Sequence, residues 1–527
     1  MISLLAFTLL LLPVTIKTSP VKHSWEGTVH VVASTGAYTG IVDEVAPDVR
    51  QFRNIPFGLP PAGERRWLPP VAVTSHAETK FDSTKFPPSC PQYAPYNGSS
   101  GVYTGIVPEL VAAPTKTDQY AKTSEDCLSL ALWTPTGADK GSKLPVILFM
   151  TGGGFGSGGI DIPYQFPHHW VQKTQQHIVV TINYRVNIFR FPYAAGLNDQ
   201  NLGILDQRLA LEWVRDNIEA FGGDPGRITL WGQSAGAASA DIHNYAYADD
   251  PIVTSYFMDS GSVSIIPPTL DTMNTNFTFV ARHFGCDTST PETELSCMRS
   301  IDFQAITDFV GRYGENKTLA EPSLSFWPMS DERIVFSNYT DRLVNGRSSG
   351  RPVLFTSCKE EGAGFGPVIV SLPSPSNPYG VWKVNRTITE QNTLGPFQCP
   401  AAMWSALRDA AGLKTYRWQY TGNFSNISPL PWMGAYHSSD LPLLFGSHSD
   451  FRGPSTTLEV ATSESMQDHL LAFVQDPVAG PETIGWADNK HDGFLRFGAD
   501  GVAVATIEKK DVDGICAQWD DFEGLSM

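Results

Sequence analysis

Four apolar runs, three of them grouped around one long helical pattern, constrain this fold more than any other feature of the sequence. The runs are "PVILFM" (145–150), "HIVVTINY" (177–184), "RITLWG" (227–232) and "RPVLFTS" (351–357). Short runs of this kind, rich in β-branched residues, are typical of strands buried on both faces. Between the second and third runs, apolar residues recur at roughly helical spacing, at Leu205, Leu209, Leu211, Trp213, Val214 and Ile218. Strand, helix and strand in this order predict an α/β fold with a parallel sheet covered by helices on both faces.

The third run leads directly into "GQSAG" (232–236), a G-x-S-x-G pattern. A serine between a strand and a helix lies on a sharp, crowded turn that projects its hydroxyl above the edge of the sheet. The helix that follows directs its free N–H groups and positive dipole end at the same point. The pattern predicts Ser234 as a catalytic nucleophile, and the alternative is a glycine-rich turn with an incidental serine.

A second glycine-rich segment follows the first run. Its last part, "GFGSGG" (154–159), satisfies the G-x-G-x-x-G spacing of a dinucleotide site. Such a site needs a helix directly after the glycines and an acid about 20 residues later. Pro163 and Pro167 make a regular helix doubtful here, and Asp161 comes too early. The context therefore does not favour a nucleotide.

Composition excludes further classes of function. The chain has 37 basic and 54 acidic residues and a net charge of −17, which argues against a nucleic-acid partner because phosphate binding needs a basic surface. Beyond the N-terminal segment, no run approaches the roughly 18 apolar residues of a membrane helix. The cysteines contain no C-x-x-C spacing, so a zinc site is not indicated. Neither a metal nor another cofactor is expected.

The N-terminal sequence indicates export. Residues 4–14 form an apolar segment too short to span a bilayer but suited to a signal peptide, which we place at residues 1–19. Seven N-x-S/T sequons and seven cysteines fit an oxidising, secretory route. The sequons begin at Asn97, Asn276, Asn316, Asn338, Asn385, Asn423 and Asn426.

Taken together, the motifs resemble the type-B carboxylesterases, a family that includes cholinesterases, neuroligins and fungal lipases. Besides the "GQSAG" turn, "SEDCLSLALWTP" (124–135) and residues 201–240 resemble two signature blocks of the family. "NYRVNIFRF" (183–191) resembles a third, although "NIFR" replaces a smaller, glycine-containing stretch. The resemblance implies an α/β-hydrolase fold, with a large, mostly parallel mixed sheet and helices on both faces. It also implies one catalytic domain at residues 20–527, in which residues 90–127 form a disulfide-closed surface or lid-like excursion.

The catalytic base is expected after the nucleophile, since α/β-hydrolases carry serine, acid and histidine in that order. "GAYHSSDLPLLFG" (434–446) resembles the family's histidine motif and assigns the base to His437. His448, His469 and His491 also follow Ser234 but lack this context.

The acid is expected between nucleophile and base, on a loop after a strand. "RPVLFTSCKEEGAGF" (351–365) supplies both. The family motif places the carboxylate immediately before a glycine, which selects Glu361 over Glu360. Glu361 would accept the Nδ1–H of His437 and stabilise the imidazolium.

The resemblance also gives the first glycine loop a role as an oxyanion hole. By motif match, the donors are the backbone N–H groups of Gly153 and Gly154, joined by that of Ala235. Ser239 matches a position that supports the catalytic residues through hydrogen bonds. Many relatives carry histidine before the three glycines, whereas this chain has Thr151.

Six of the cysteines match disulfide positions of the family. The resemblance pairs Cys90 with Cys127, Cys286 with Cys297, and Cys399 with Cys516, and leaves Cys358 as a free thiol.

The sequence thus predicts a secreted serine carboxylic ester hydrolase that acts through an acyl-enzyme on a small-molecule or lipid ester. Alternatives are a lipase or sterol esterase, a hydrolase or cyclase of a specialised metabolite, and a non-catalytic neuroligin-like adhesion protein. A cholinesterase is disfavoured because the 90–127 segment lacks the tryptophan that binds choline in the resembling enzymes.

Overall fold

The computed structural model describes residues 27–93, 102–110, 123–267, 271, 273–287, 289–318, 321–371, 374 and 376–518. The strands within these residues are β1 (Gly27–Ala33), β2 (Gly36–Val42), β3 (Val49–Pro56), β4 (Lys80–Asp82), β5 (Ser129–Pro135), β6 (Leu144–Met150), β7 (Ile178–Ile182), β8 (Gly223–Gln233), β9 (Ser255–Asp259), β10 (Val353–Cys358), β11 (Val368–Ser371), β12 (Val381–Lys383), β13 (Thr415–Tyr420), β14 (Phe494–Ala499) and β15 (Val502–Ile507). The helices are α1 (Val102–Gly105), α2 (His168–Thr174), α3 (Leu202–Asn217), α4 (Ala235–Ala246), α5 (Thr275–His283), α6 (Pro291–Ser300), α7 (Phe303–Asn316), α8 (Tyr339–Val344), α9 (Arg386–Thr393), α10 (Cys399–Ala410), α11 (Leu441–Phe445), α12 (Thr457–Gln475), α13 (Gly480–Thr483) and α14 (Lys510–Asp513).

One large mixed sheet organises the protein. Its order is β1-β2-β3-β5-β7-β6-β8-β9-β10-β13-β14-β15, with β4 paired to β2. The central strands from β7 to β14 run parallel, while the pairs at either end of the sheet are antiparallel, except for the parallel pair β2–β4. The four apolar runs lie in β6, β7, β8 and β10, so the predicted α/β class and mostly parallel mixed sheet are confirmed.

Hydrophobic cores cover both faces of this sheet, and β6 shows how the sequence divides between them. Val146, Leu148 and Met150 enter the core that α3 and α4 cover, while Ile147 and Phe149 enter the core formed with α2, α11 and α12. Because successive side chains of a strand point to opposite faces, a continuous apolar run fills both cores at once. The absence of a polar alternation in "PVILFM" follows from this double burial.

The parallel arrangement brings several loops to one edge of the sheet. β6, β8, β10 and β13 run parallel to one another in the sheet, so their carboxyl ends share that edge. The segments that follow them carry the glycine loop, Ser234, Glu361 and His437. Ligands of open α/β sheets bind outside the carboxyl ends of the strands.

The structure contains the three disulfides Cys90–Cys127, Cys286–Cys297 and Cys399–Cys516, and Cys358 is a buried free thiol. Part of the segment closed by the first bridge, residues 102–110, lies within the described residues. It forms α1 and a 3₁₀ turn whose apolar side chains are buried, at Val102, Ile106, Val107 and Leu110. These four side chains recur at intervals of one to four residues, so one face of this short helical segment packs onto the domain.

Two expectations fall on parts of the chain outside the described residues. These are the signal peptide, within residues 1–26, and the sequon at Asn97. None of the described helices is both long enough and apolar enough to cross a bilayer.

Candidate active site

Ser234 occupies a sharp turn between β8 and α4. Its backbone angles are φ 58° and ψ −123°, in a region that residues other than glycine rarely adopt. Its N–H donates to the carbonyl of Asp259 at 2.8 Å, which fixes the turn to the end of β9. Local strain of this kind persists where the surrounding structure holds it, and it is typical of a nucleophile elbow.

The glycines of "GQSAG" are needed because the turn is crowded. A Cβ at Gly232 would lie 2.0 Å from the carbonyl oxygen of Gly236, and a Cβ at Gly236 would lie 2.1 Å from that of Met150. At Gly152, in the neighbouring loop, a Cβ would lie 2.9 Å from Cβ of Ser234. No other residue fits these positions without moving backbone away from the serine.

The glycine loop after β6 presents free backbone donors near Ser234. Gly153 and Gly154 have φ angles of 111° and 60°, which glycine adopts without steric cost. In the described part of the chain, neither of their N–H groups donates a hydrogen bond. The N–H of Ala235 belongs to the first turn of α4 and has no acceptor within that helix. The three donors named from the sequence are therefore available to a ligand.

Thr151, at the start of this loop, is held from behind by a hydrogen bond from Tyr184, and its methyl group occupies space that the lack of a side chain at Gly158 leaves open. Its carbonyl accepts the hydroxyl of Tyr184, and its methyl group lies 2.8 Å from where a Cβ of Gly158 would be. Phe155 is fully buried and packs against Phe191 and Trp327, with ring centroids 5.7 and 5.3 Å apart. The loop is thus anchored without a histidine at position 151.

His437 and Glu361 form a buried hydrogen-bonded pair. His437 Nδ1 lies 2.5 Å from Glu361 Oε2, and the second carboxylate oxygen accepts the backbone N–H of Cys358 at 2.6 Å. Glu361 is fully buried and His437 is 3% exposed. A carboxylate can only accept hydrogen bonds, so in a pair with the Glu361 carboxylate the Nδ1 nitrogen of His437 is the donor.

The other candidates for base and acid are engaged elsewhere. His448 Nδ1 contacts Ser455, His469 Nδ1 contacts the carbonyl of Ser465, and His491 Nδ1 contacts Asp488. Glu360 accepts the backbone N–H of Ala435 and faces solvent. Of the two glutamates, Glu361 is the one in contact with His437.

Gln233 is a member of the site that the sequence did not reveal. Its Nε2 lies 3.1 Å from His437 Nε2, the ring nitrogen that faces away from Glu361. With the proton on Nδ1, Nε2 accepts this hydrogen bond. In the described part of the chain the Ser234 hydroxyl has no hydrogen bond to His437. A serine hydroxyl that bonded to Nε2 would have to displace the Gln233 amide.

Aromatic side chains and part of the disulfide-closed segment enclose the imidazole. The ring centroids of Phe365 and Phe397 lie 4.9 and 4.6 Å from that of His437. The hydroxyl of Tyr103, on α1, donates to the carbonyl of His437 at 2.8 Å. Burial raises the pKa of Tyr103 well above its usual value, so it stays a neutral donor. These contacts join remote parts of the chain, and no local motif predicts them.

Ser239 links α4 to its surroundings. Its hydroxyl donates to the carbonyl of Ala235 at 2.9 Å and accepts hydrogen bonds from Arg190 at 3.0 Å and Gln207 at 3.1 Å. The side chain expected to support the site therefore contacts the backbone of one proposed oxyanion donor.

A pair of buried carboxyl groups lies beneath the site. Asp259, at the end of β9, lies close enough to Asp440 for the two carboxyl groups to interact electrostatically, and both side chains are fully buried. Asp259 also accepts the hydroxyl of Thr356 at 2.8 Å. Burial is the main cause that raises the pKa of Asp259 well above its usual value, and the negative charge of Asp440 is the second. The pair therefore retains a proton that either residue would lose in water.

This retained proton makes the stability of the protein depend on pH. Asp259 has an ordinary pKa of 3.8, so the unfolded chain releases the proton above that pH while the folded chain keeps it. The free energy of unfolding then falls by about 1.4 kcal/mol per pH unit between the two pKa values. Asp259→Asn should remove this loss, because its amide donates to Asp440 without titrating.

Thermal unfolding of the two proteins at pH 5 and pH 8 checks the prediction. The Tm of Asp259→Asn, relative to wild type, should be higher at pH 8 than at pH 5. A difference that is the same at both pH values would show that Asp259 is not protonated in the folded protein.

Potential metal ligands cluster at another place. Within the described residues, one group has its ligand atoms within 4.8 Å of one another: His168, His169 and Asp450. His169 Nε2 already contacts Asp450 Oδ1 at 3.0 Å. This group lies at the start of α2 and in the segment after α11, and the residues of the serine site take no part in it.

A cavity of about 250 Å³ opens beside the glycine loop. Its lining combines Gly154 and Gly156 with residues of α7 and of the segment 324–327. The aromatic members are Tyr93, Phe326 and Trp327, and Asn187 adds a polar group. The cavity thus adjoins Gly154, one of the three proposed oxyanion donors.

Comparison with known proteins identifies relatives that are esterases and lipases. The profile of the carboxylesterase family matches residues 27–380. Chlorogenic acid esterase of Aspergillus niger is 41% identical over 472 residues, which cover 89% of this chain and 87% of that protein. Secreted lipase 5 of Gibberella zeae is 36% identical over 535 residues, with 96% and 97% coverage. Lipase 5 of Diutina rugosa is 32% identical over 332 residues, with 60% and 59% coverage.

The fold and these matches define an α/β-hydrolase that cleaves carboxylic esters. The chain belongs to the carboxylesterase family. The family, the fold class and the ester hydrolase activity expected from the sequence are confirmed, and an acyl-enzyme formed on a serine fits the family.

Proposed function

We propose that ester hydrolysis proceeds through an acyl-enzyme on Ser234, with His437 as general base and Glu361 as the acid that orients it. The observation that carries this proposal is the 2.5 Å hydrogen bond between His437 Nδ1 and Glu361 Oε2 in a buried site. That bond keeps the proton on Nδ1, so Nε2 can take the Ser234 proton as Oγ attacks the ester carbonyl. Glu361 then stabilises the imidazolium that forms.

The backbone N–H groups of Gly153, Gly154 and Ala235 would bind the oxygen of the tetrahedral intermediate. Their availability in the described structure supports this role, since preformed donors need no rearrangement during the reaction. Ser239 would support Ala235 through its hydrogen bond to the Ala235 carbonyl.

Collapse of the intermediate expels the alcohol, which takes its proton from His437 Nε2. Water then attacks the acyl carbon on Ser234 and gives up a proton to the same nitrogen. The second intermediate releases the carboxylic acid and restores the Ser234 hydroxyl.

For the substrate, we propose an ester of an aromatic acid. The cavity beside Gly154 is smaller than the roughly 300–1,000 Å³ of sites that enclose a whole drug-sized ligand, so its 250 Å³ suit one substituent of an ester. Its aromatic lining favours a flat ring. The Aspergillus niger relative is named for chlorogenic acid, a compound that is itself a caffeoyl ester.

Hydrolysis of a caffeoyl ester, p-nitrophenyl esters of graded chain length and a triacylglycerol emulsion tests the substrate. The value of kcat/KM should be highest for the caffeoyl ester, about tenfold or more above long-chain esters, as differences in one pocket can provide. Replacing Trp327 with alanine should reduce the rate on the caffeoyl ester more than that on p-nitrophenyl acetate. A maximum at long chains would instead favour the lipase activity named for the relative with 96% coverage.

We further propose that residues 1–19 are a signal peptide, that residues 20–527 form one catalytic domain and that the protein is secreted. The names of the Gibberella zeae relatives support secretion, and the continuous sheet supports one domain. Among the described sequons, four asparagines are exposed: Asn316, Asn338, Asn385 and Asn423. Asn276 and Asn426 are buried, and their Nδ2 atoms donate to other groups.

N-glycans on the secreted protein are therefore predicted at the four exposed asparagines, because a sugar on a buried Nδ2 would disrupt its hydrogen bonds and packing. Deglycosylation with PNGase F in ¹⁸O water, followed by peptide mass spectrometry, locates the modified residues. Label at Asn276 or Asn426 in folded, active protein would contradict the expected pattern.

A further inference from the structure

Arg190 is a fully buried cation behind the glycine loop. Its guanidinium carbon lies 4.5 Å from the ring centroid of Phe155 and 4.7 Å from that of Tyr184. Its Nη2 donates to Ser239 Oγ at 3.0 Å. Phe155 belongs to the loop and Ser239 to α4, so one guanidinium contacts both the segment that carries Gly153 and Gly154 and the helix that follows Ser234.

The charge of Arg190 is not balanced by a direct partner. Among the described residues, no carboxylate forms an ion pair with it, and Asp206, the acid that acts on it electrostatically, is held by Arg185 at 2.6 and 2.8 Å. Burial lowers the pKa of Arg190 to about 10, which leaves it charged at neutral pH. An unpaired buried charge opposes folding, and a neutral side chain of similar length would avoid this cost.

The surrounding structure accommodates this side chain specifically. A Cβ at Gly203, in α3, would lie 2.2 Å from Cγ and 2.4 Å from Nε of Arg190. A third aromatic ring, that of Phe191, lies 4.5 Å from the guanidinium carbon. The faces of aromatic rings attract cations, and a glycine on α3 leaves the space that the arginine occupies.

We propose that Arg190 is a positioning residue that holds the oxyanion loop against the nucleophile helix and favours the negative charge of the tetrahedral intermediate. The inference rests on the proposed oxyanion hole. In ester hydrolysis, negative charge develops next to this loop when the carbonyl oxygen becomes an oxyanion. A cation one layer behind the donors acts there through a medium of low dielectric, where its attraction is stronger than in water.

A pair of inhibitors separates this role from a purely structural one. An alkyl trifluoromethyl ketone accepts Ser234 Oγ at its carbonyl carbon while the serine proton passes to His437 Nε2, which leaves a hemiketal oxyanion. The corresponding trifluoromethyl alcohol cannot form this adduct. In Arg190→Met, the inhibition constant of the ketone should rise by on the order of 10-fold to 100-fold, which is no more than the effect of removing one direct oxyanion donor. The inhibition constant of the alcohol should stay unchanged. The kcat for a p-nitrophenyl ester should fall by a similar factor with little change in KM.

Arg190→Lys, which retains the charge, should recover part of the ketone affinity, and Arg190→Gln should not. Arg408→Met is the matched control, because Arg408 is an equally buried arginine that contacts Thr415 and backbone carbonyls away from the site. It should lower the Tm without changing the ratio of the two inhibition constants.

An unchanged ratio in Arg190→Met would overturn the inference. If that variant does not fold, an unchanged ratio in both Arg190→Lys and Arg190→Gln would do so. A wild-type enzyme that the ketone does not inhibit, or Ser234→Ala that it still inhibits as strongly, would contradict the proposed serine mechanism instead.

Discussion

Ser234→Ala is expected to abolish ester hydrolysis while leaving the fold intact. Loss of the nucleophile in a serine hydrolase typically lowers kcat by on the order of 10⁴-fold to 10⁶-fold. The serine hydroxyl has no hydrogen bond that stabilises the turn in the described structure, since the turn is fixed by backbone contacts such as the 2.8 Å bond to Asp259. The kcat of p-nitrophenyl ester hydrolysis and the Tm, measured on the same preparation, check both parts.

A covalent label provides the complementary test. An alkyl fluorophosphonate reacts with a serine hydroxyl by loss of HF, so the mass of its phosphonyl group should appear on the peptide that contains Ser234 in wild type and on no serine in the variant. Ser264→Ala is a suitable control, since its hydroxyl accepts the indole N–H of Trp404 on α10 and, in the described residues, has no hydrogen bond to Ser234 or His437. Equal rates in wild type and Ser234→Ala, or labelling of another serine, would contradict the assignment.

The sequence predicted the parts of the site that local backbone geometry determines. The β8–α4 turn is recognisable because a strained serine between a strand and a helix requires a glycine two residues before it and another two residues after it. Gly232 and Gly236 meet this requirement within one short stretch of the sequence. The four strands were visible for a related reason, because burial on both faces removes polar residues from the run. Their parallel order then placed the glycine loop beside Ser234.

Residues that depend on contacts between distant segments were not predictable in this way. Gln233 is next to Ser234 in the sequence, but its contact with the imidazole could be inferred only once the position of His437 was known. Tyr103 reaches His437 from 334 residues away, and Asp259 meets Asp440 only after folding. Arg190 belongs to the "NIFR" segment, which replaces a smaller, glycine-containing stretch of the resembling family. That its charge has no direct ionic partner became evident only from its neighbours in the fold.

The choice between Glu361 and Glu360 also shows which features the local sequence determines and which depend on contacts between distant segments. Both follow the same strand, and residue chemistry alone does not separate them. The glycine that follows Glu361 did, through the resemblance to the family, and the folded chain directs the two side chains to different partners. This pair therefore allows a matched test of the acid.

Glu361→Gln is expected to lower kcat by about 10⁴-fold, as replacement of the triad acid by its amide does in other serine hydrolases. In wild type, the two carboxylate oxygens accept hydrogens from the Cys358 backbone and from His437 Nδ1. Glutamine offers one oxygen and one NH₂ group, so one of these contacts becomes donor against donor in a site without solvent. The Cys358 N–H cannot give up its proton, so the glutamine oxygen should face it and the NH₂ group should face His437 Nδ1. The imidazole proton then moves to Nε2, and Nε2 can no longer accept the proton of Ser234.

The kinetic loss should not come from unfolding. The charge of Glu361 contributes to the raised pKa of both Asp259 and Asp440, so neutralising it removes repulsion within this buried cluster. The Tm of Glu361→Gln at pH 7 should therefore stay close to that of wild type. Glu360→Gln, which loses only charge near solvent and keeps an acceptor for Ala435, should retain kcat within about threefold, as is usual for surface changes that leave the site in place. If both variants lose activity equally, Glu361 does not act through His437, and the carboxylate is needed only to hold the loop after β10.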